Sequence, residues 1–225
     1  MNKAYVKREF VENLSPQAFA ALTGILLNAR KQSLADDWVC TSPVIIAAAL
    51  TGKEPTESDL AAMNKGFRDL AGCGLIEKYL HNQYIVHYSD IEREDESFVC
   101  LEEQEIRIIL DSPSGVNRFS LLQYFAFLKS TINYATKISS LSVVFYQTKT
   151  GKSILTINKY HRTLEKLGVL KVFRFKPGRM SDGSLSYANN VYCLPKDTVT
   201  AIQTIREKGM LKRLKPDKEK KGKPL

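Results

Sequence analysis

The sequence predicts an α+β protein, mainly helical with small β-hairpins, and three observations lead there. Apolar residues recur at helical spacing through most of the chain. Each group of helical runs is followed by a short alternating stretch broken by turn residues. The pattern also occurs twice. At an offset of 94 residues (64 onto 158), Asn64, Lys65, Arg68, Leu70 and Gly74 of "MNKGFRDLAGCGLI" fall on Asn158, Lys159, Arg162, Leu164 and Gly168 of "INKYHRTLEKLGVL".

In the first copy, "LSPQAFAALTGILLNARKQ" at 14–32 opens on Ser-Pro, which suits a first helical turn, and continues with Phe19, Leu22, Ile25 and Leu26. "TSPVIIAAALTGK" at 41–53 has Thr41 or Ser42 as cap, Pro43 in the first turn and Gly52 as stop. A third helix over 54–74 carries Leu60, Met63, Phe67, Leu70 and Cys73 before Gly74 ends it. "LIEKYLHNQYIVHY" at 75–88 reads as a hairpin turning at His81-Asn82-Gln83.

The second copy predicts helices over 118–136, 140–152 and 153–168, the last capped by Ser153. A strand at 169–175, a Gly/Ser/Asp-rich loop at 176–188 and a returning strand at 189–195 follow. Thr51-Gly52-Lys53 and Thr150-Gly151-Lys152 stand at matching places between second and third helices. The aromatic run "YFAFL" at 124–128 is expected in the core, because exposed apolar patches of that size are rare.

Three helices and a hairpin make a winged helix-turn-helix, so the expected architecture is two such domains in tandem. The first spans 1–88 and the second 106–196, joined by an acidic linker at 89–105. A C-terminal helix at 197–214, with Val199, Ile202, Ile205 and Leu211 on one face, and a disordered basic tail at 215–225 complete the chain.

Charge narrows the partner. The 225 residues carry a net +9, unevenly spread. Residues 1–100 hold 10 Lys/Arg against 14 Asp/Glu, residues 101–200 hold 14 against 7, and residues 201–225 hold 9 against 3. A positive field attracts polyanions, nucleic acid first. The polar start "MNKAYVKREF" predicts no secretory leader, and no apolar run approaches a membrane span. Cys40, Cys73, Cys100 and Cys193 are far apart without a CxxC pair, which predicts free thiols in a reducing cytoplasm rather than a disulfide framework or a zinc site.

The third helix of each copy turns two faces in opposite directions. Asn64, Lys65 and Arg68 oppose Met63, Phe67 and Leu70, while Asn158, Lys159 and Arg162 oppose Ile157, His161 and Leu164. Arg pairs with two acceptors on guanine, Asn pairs likewise with adenine, and Lys takes phosphate. Such a helix fits the major groove of double-stranded DNA with its N-terminal half nearest the bases. Thr156 and Lys166 on the second of these helices, and Lys176 and Arg179 on the second wing, are further candidates. These residue types are also common on any solvated helix face. It is their match in position, in matching context and beside a basic half, that favours DNA. DNA is also the favoured reading of the first copy, and its net acidic half offers a dimerisation surface or a surface for a replication or transcription protein as the alternative.

No catalytic or cofactor site is expected. Gly151-Lys152-Ser153 resembles the end of a phosphate-binding loop, but Tyr146 stands where that loop needs glycine, and the stretch lies between helices. His81, His87 and His161 show neither triad nor metal-ligand spacing, and His161, aligned with Phe67, is expected to be a packed ring.

"LSPQAFAALTGILL", Trp38, "NKGFRDLAGCGLIEK" and "LTINKYHRTLEKLGVLKVFRF" together resemble the winged-helix modules of DnaD-type replisome organisers and of phage and plasmid replication initiators of Gram-positive bacteria. The resemblance covers 14–88 and 118–195 in pattern. It implies DNA reading by the third helix of each module and a role in replication initiation, with transcriptional control of a mobile element or a protein–protein adaptor as alternatives.

Overall fold

A computed structural model describes residues 2–29, 38–87, 91, 97–113, 115–176, 178–179, 185–186 and 190–210. It is a mainly helical α+β protein with small antiparallel sheets, dividing into two compact units, 1–130 and 131–225. No helix among the described residues is long and apolar enough to cross a membrane.

The first unit begins with β1 (Lys3–Lys7), α1 (Arg8–Asn13) and α2 (Pro16–Ala29). Ser15 caps α2 by accepting the Ala18 N–H at 3.2 Å, and the helix is buried from Ala18 through Leu27. β2 (Trp38–Thr41) leads to α3 (Pro43–Thr51), where Ser42 is the cap, Pro43 lies in the first turn and Gly52 closes the helix at φ 68°. α4 (Glu57–Gly72) has a capping box between Thr56 and Asp59. It ends in a Schellman turn, Leu75 N–H to Leu70 carbonyl and Gly74 N–H to Ala71 carbonyl, which needs Gly74 at φ 72°. β3 (Glu77–Leu80) and β4 (Gln83–His87) form the expected hairpin, with Asn82 in the left-handed region at φ 59°. β4 lies between β3 and β2.

Two expectations fail in this unit. Residues 89–105 are not simply a linker: β5 (Phe98–Glu102) pairs antiparallel with β1, placing buried Val99 and Leu101 opposite buried Val6 and Ala4. The acidic residues beside that strand serve α5 (Glu103–Leu110). The Glu105 side chain accepts the Glu102 N–H at 2.9 Å and takes Lys129 Nζ at 2.6 and 2.8 Å, while Glu103 holds Arg107 at 2.6 Å. The second expectation concerns α6 (Arg118–Ser130), which was to open a second domain from residue 106. The chain divides after Ser130 instead, because α6 packs on α1, α2, α5 and β5. Its Tyr124–Leu128 run is buried, as expected of core.

Gly66 governs the approach of α2 to α4. A Cβ on Gly66 would overlap the Gln17 carbonyl, which is backbone and cannot rotate away. Gly66→Ala is therefore expected to destabilise this unit by about 1–3 kcal/mol despite alanine's better helix propensity. Equilibrium urea unfolding measures the shift. The 94-residue offset places Tyr160, a buried ring, at the matching position of the second copy, so the repeat breaks where a helix must come close.

The second unit contains α7 (Val143–Thr150), α8 (Ile154–Lys166), β6 (Lys171–Phe173), β7 (Gly178–Arg179), β8 (Leu185–Ser186), β9 (Val191–Cys193) and α9 (Thr198–Glu207). Ser142 caps α7, and Gly151 closes it at φ 64°, as Ser42 and Gly52 do for α3. Thr150 and Thr51 each donate to the carbonyl four residues back, at 2.6 and 2.9 Å. Val169 N–H to Leu164 carbonyl and Gly168 N–H to Glu165 carbonyl repeat the Schellman turn of α4. The strand order repeats as well. β9 pairs with β6 and bridges to Ser139 ahead of α7, just as β4 pairs with β3 and with β2 ahead of α3.

The expected loop at 176–188 contains a further pair, β7 with β8. α9 forms within 197–214, but its buried side is Ala201, Thr204 and Ile205, with Ile202 half-buried. Val199 is 80% exposed, since it sits about 120° round the helix from Ile205. Ala201 and Ile205 close a small core with Ile138, Phe173, Phe175, Val191, Cys193 and Met210. Leu211 and the tail expected at 215–225 lie outside the described residues.

Candidate nucleic-acid interface

α8 is strongly two-sided. Ile157, Tyr160, His161 and Leu164 are buried at steps of three and four. The opposite face carries Leu155, Lys159, Arg162 and Lys166, all exposed, with Asn158 half-buried at its edge. Four of these five fall within an arc of about 60°, and Asn158 lies about 60° from Leu155. Arg162 makes no hydrogen bond or ion pair among the described residues. Ser153 starts the helix by accepting the Thr156 N–H at 3.2 Å. Thr156 therefore belongs to the cap: its hydroxyl lies 2.9 Å from Ser153 Oγ, and its side chain stands about 100° away from Leu155.

The side opposite this face is held by a buried cluster. The Tyr192 hydroxyl lies 3.5 Å from His161 Nδ1, and the Tyr146 hydroxyl lies 3.0 Å from both Ser139 and Thr131. The rings of Tyr146, His161 and Tyr192 pack edge-on or tilted, with centroids 4.6–5.9 Å apart. Burial, helped by the nearby Arg174 charge, pushes the His161 pKa down to about 4, so the ring is neutral at pH 7. The same burial raises the Tyr192 hydroxyl well above its ordinary value. Arg174 grips both Glu165 oxygens, at 3.0 and 2.6 Å, fastening the segment after β6 to the last turn of α8. Lys176 follows this clamp and is exposed, and Arg179 opposes Leu185 in the β7–β8 pair.

α4 repeats the face at the same offset: Ala61, Asn64, Lys65, Arg68 and Gly72 stand where α8 has Leu155, Asn158, Lys159, Arg162 and Lys166. All five are exposed. Lys65 is paired with Asp69 at 2.7 Å, and Asp69 also accepts from Ser15 at 2.5 Å. Those two hydrogen bonds hold the Asp69 carboxyl below the usual carboxylate range, so it remains charged beside the lysine. The position matching Asp69 in α8 is Thr163.

The structural boundary sharpens the charge contrast. Residues 1–130 hold 13 Lys/Arg against 18 Asp/Glu, a net −5, and residues 131–225 hold 20 against 6, a net +14. The sequence reading named the polar members of the α8 face and passed over Leu155. Its position three residues before Asn158 and seven before Arg162 was the available signal. Among the described residues no group of three or more His, Cys, Asp or Glu side chains is placed to hold a metal ion. No protein-family model matches the chain, and a search of the curated proteins finds no match.

Proposed function

We propose that this chain is a non-enzymatic double-stranded DNA-binding protein built from tandem winged helix-turn-helix modules. α8 is the principal reading helix. The observation that carries the reading is the α8 face itself, three cations and an asparagine in one stripe on a unit of net +14. Laid in the major groove, the stripe supplies a two-donor fork for guanine at Arg162, an amide for adenine at Asn158, and charge for phosphate at Lys159 and Lys166. Lys176 and Arg179 on the wing extend that contact to the backbone. The repeated strand order, caps and helix-end turns support a second module of the same design, with α4 as a weaker reader. Two readers on one chain gain affinity by effective concentration, as an internal dimer does. The family resemblance favours initiation of plasmid or phage replication over transcriptional control.

A second reading applies to the first unit alone. Its net −5 and the Lys65–Asp69 pair favour a replication or transcription protein as its partner.

Selection of bound duplexes from a random pool, followed by affinity at several salt concentrations, tests the proposal. Two enriched half-sites are expected, with affinity falling steeply as salt rises because each neutralised phosphate releases counterions. One half-site would assign reading to α8 alone. Absence of any enriched sequence, with binding lost by physiological salt, would reduce the basic charge to a nonspecific field.

A further inference from the structure

Leu155 is 82% exposed. A single exposed leucine is ordinary on a protein surface and by itself asks for no explanation. Its position is what carries the inference. Leu155 lies within about 20° of Arg162 and Lys166 around the helix axis, so it belongs to the reading stripe and not to its margin. It also sits in the N-terminal turn, the part of a groove-bound helix nearest the base edges. Ile154 beside it is 41% exposed, which broadens the apolar end of the stripe. Further along the same face stand Lys159, Arg162 and Lys166, so whatever covers Leu155 must also accept a row of positive charge. A protein groove of ordinary composition satisfies one of those demands at the expense of the other. The major groove of DNA satisfies both, because its walls are anionic and its floor carries one apolar group, the 5-methyl of thymine. The matching position on α4 is Ala61, also exposed and also apolar.

We propose that Leu155 is a specificity-determining residue that packs on the 5-methyl group of a thymine in the preferred duplex, and that this contact selects thymine at one position of the site. The inference rests on α8 being the reading helix. Arg162 is rooted about 10 Å further along the helix axis, so the thymine and the guanine it reads are separate base pairs.

The test uses the full-length protein and the duplex recovered by selection. Each thymine in turn is replaced by deoxyuridine, which removes the 5-methyl and leaves every hydrogen-bonding group in place. Wild-type protein is expected to lose about fourfold in affinity at one position, the amount one buried methyl supplies. Leu155→Ala, a substitution at a solvent-facing helix position, is expected to bind the thymine and uracil duplexes equally. Indifference of the wild type to every replacement would overturn the inference. So would a site without thymine, or a Leu155→Ala protein that keeps the full uracil penalty. Arg162→Ala on the same duplex separates the two levels. If it weakens binding while uracil is neutral, only the role of Leu155 fails. If it binds as wild type does, or if no duplex is selected, the reading of α8 fails and the inference falls with it.

Discussion

Arg162→Glu is expected to remove preferential duplex binding, at a cost above about 3 kcal/mol on the selected site. Loss of a two-donor contact to guanine accounts for about 1–3 kcal/mol of that. The new carboxylate then faces phosphate, and like charges set against each other at an interface cost several kcal/mol more. The fold should be unaffected, because Arg162 is exposed and bonds to no other described residue. Fluorescence anisotropy at one fixed salt concentration measures the loss, and unchanged affinity would remove α8 from the groove. Arg68→Glu on α4 is the informative companion. Its helix already carries Asp69 and belongs to a unit of net −5, so the expected loss is smaller. Equal losses from the two substitutions would make α4 and α8 equivalent readers.

Acid is expected to destabilise the second unit through His161. The folded ring takes a proton only near pH 4, because protonation would place a charge in a buried cluster beside Arg174. An unfolded histidine takes one near pH 6.5, so between those values the unfolded chain binds more protons. Acidification therefore favours unfolding. This contribution is whole above about pH 6.5 and lost as pH falls to about 4, and it amounts to about 3 kcal/mol. The groups facing the ring, Tyr146 and Tyr192, do not titrate in this window, since burial raises both. His161→Phe, which installs the side chain that Phe67 supplies in the first copy, should flatten the pH dependence over the same range. Urea unfolding from pH 4 to 8 on both proteins isolates the difference. Parallel curves would show that the ring protonates without penalty. Because His161 lies on the buried side of α8, duplex binding by the wild type should weaken over the same interval as the helix loses its seat.

Much of the fold was legible because its signals are local. Ser42, Pro43 and Gly52 bracket α3, and Ser142 and Gly151 bracket α7, since caps and left-handed turns depend on residues within four positions of each other. The opposed faces of α4 and α8 follow from periodicity alone, the burial of His161 from its alignment with Phe67, and that of the run at 124–128 from the rarity of exposed apolar patches of that size. What the sequence could not decide was which distant segments meet. β5 was hidden in an acidic stretch because its partner, β1, lies more than ninety residues away, and its alternating Val99 and Leu101 are too few to register without that partner. The same limit concealed the purpose of Glu103 and Glu105, which act as cap and ion-pair groups in α5 and α6 contacts. α6 was assigned by repeat to the second half, yet its side chains found their complement on α1 and α2, and a helix joins the surface that buries it irrespective of pattern. At the candidate interface the residue types and spacing came from the sequence. The tertiary structure decided their weight: the boundary after Ser130 puts α8 in the unit of net +14, Asp69 folds onto Lys65, and Leu155 stands in line with Arg162. Charge and exposure are properties of what lies nearby in space, and only folding brings those neighbours together.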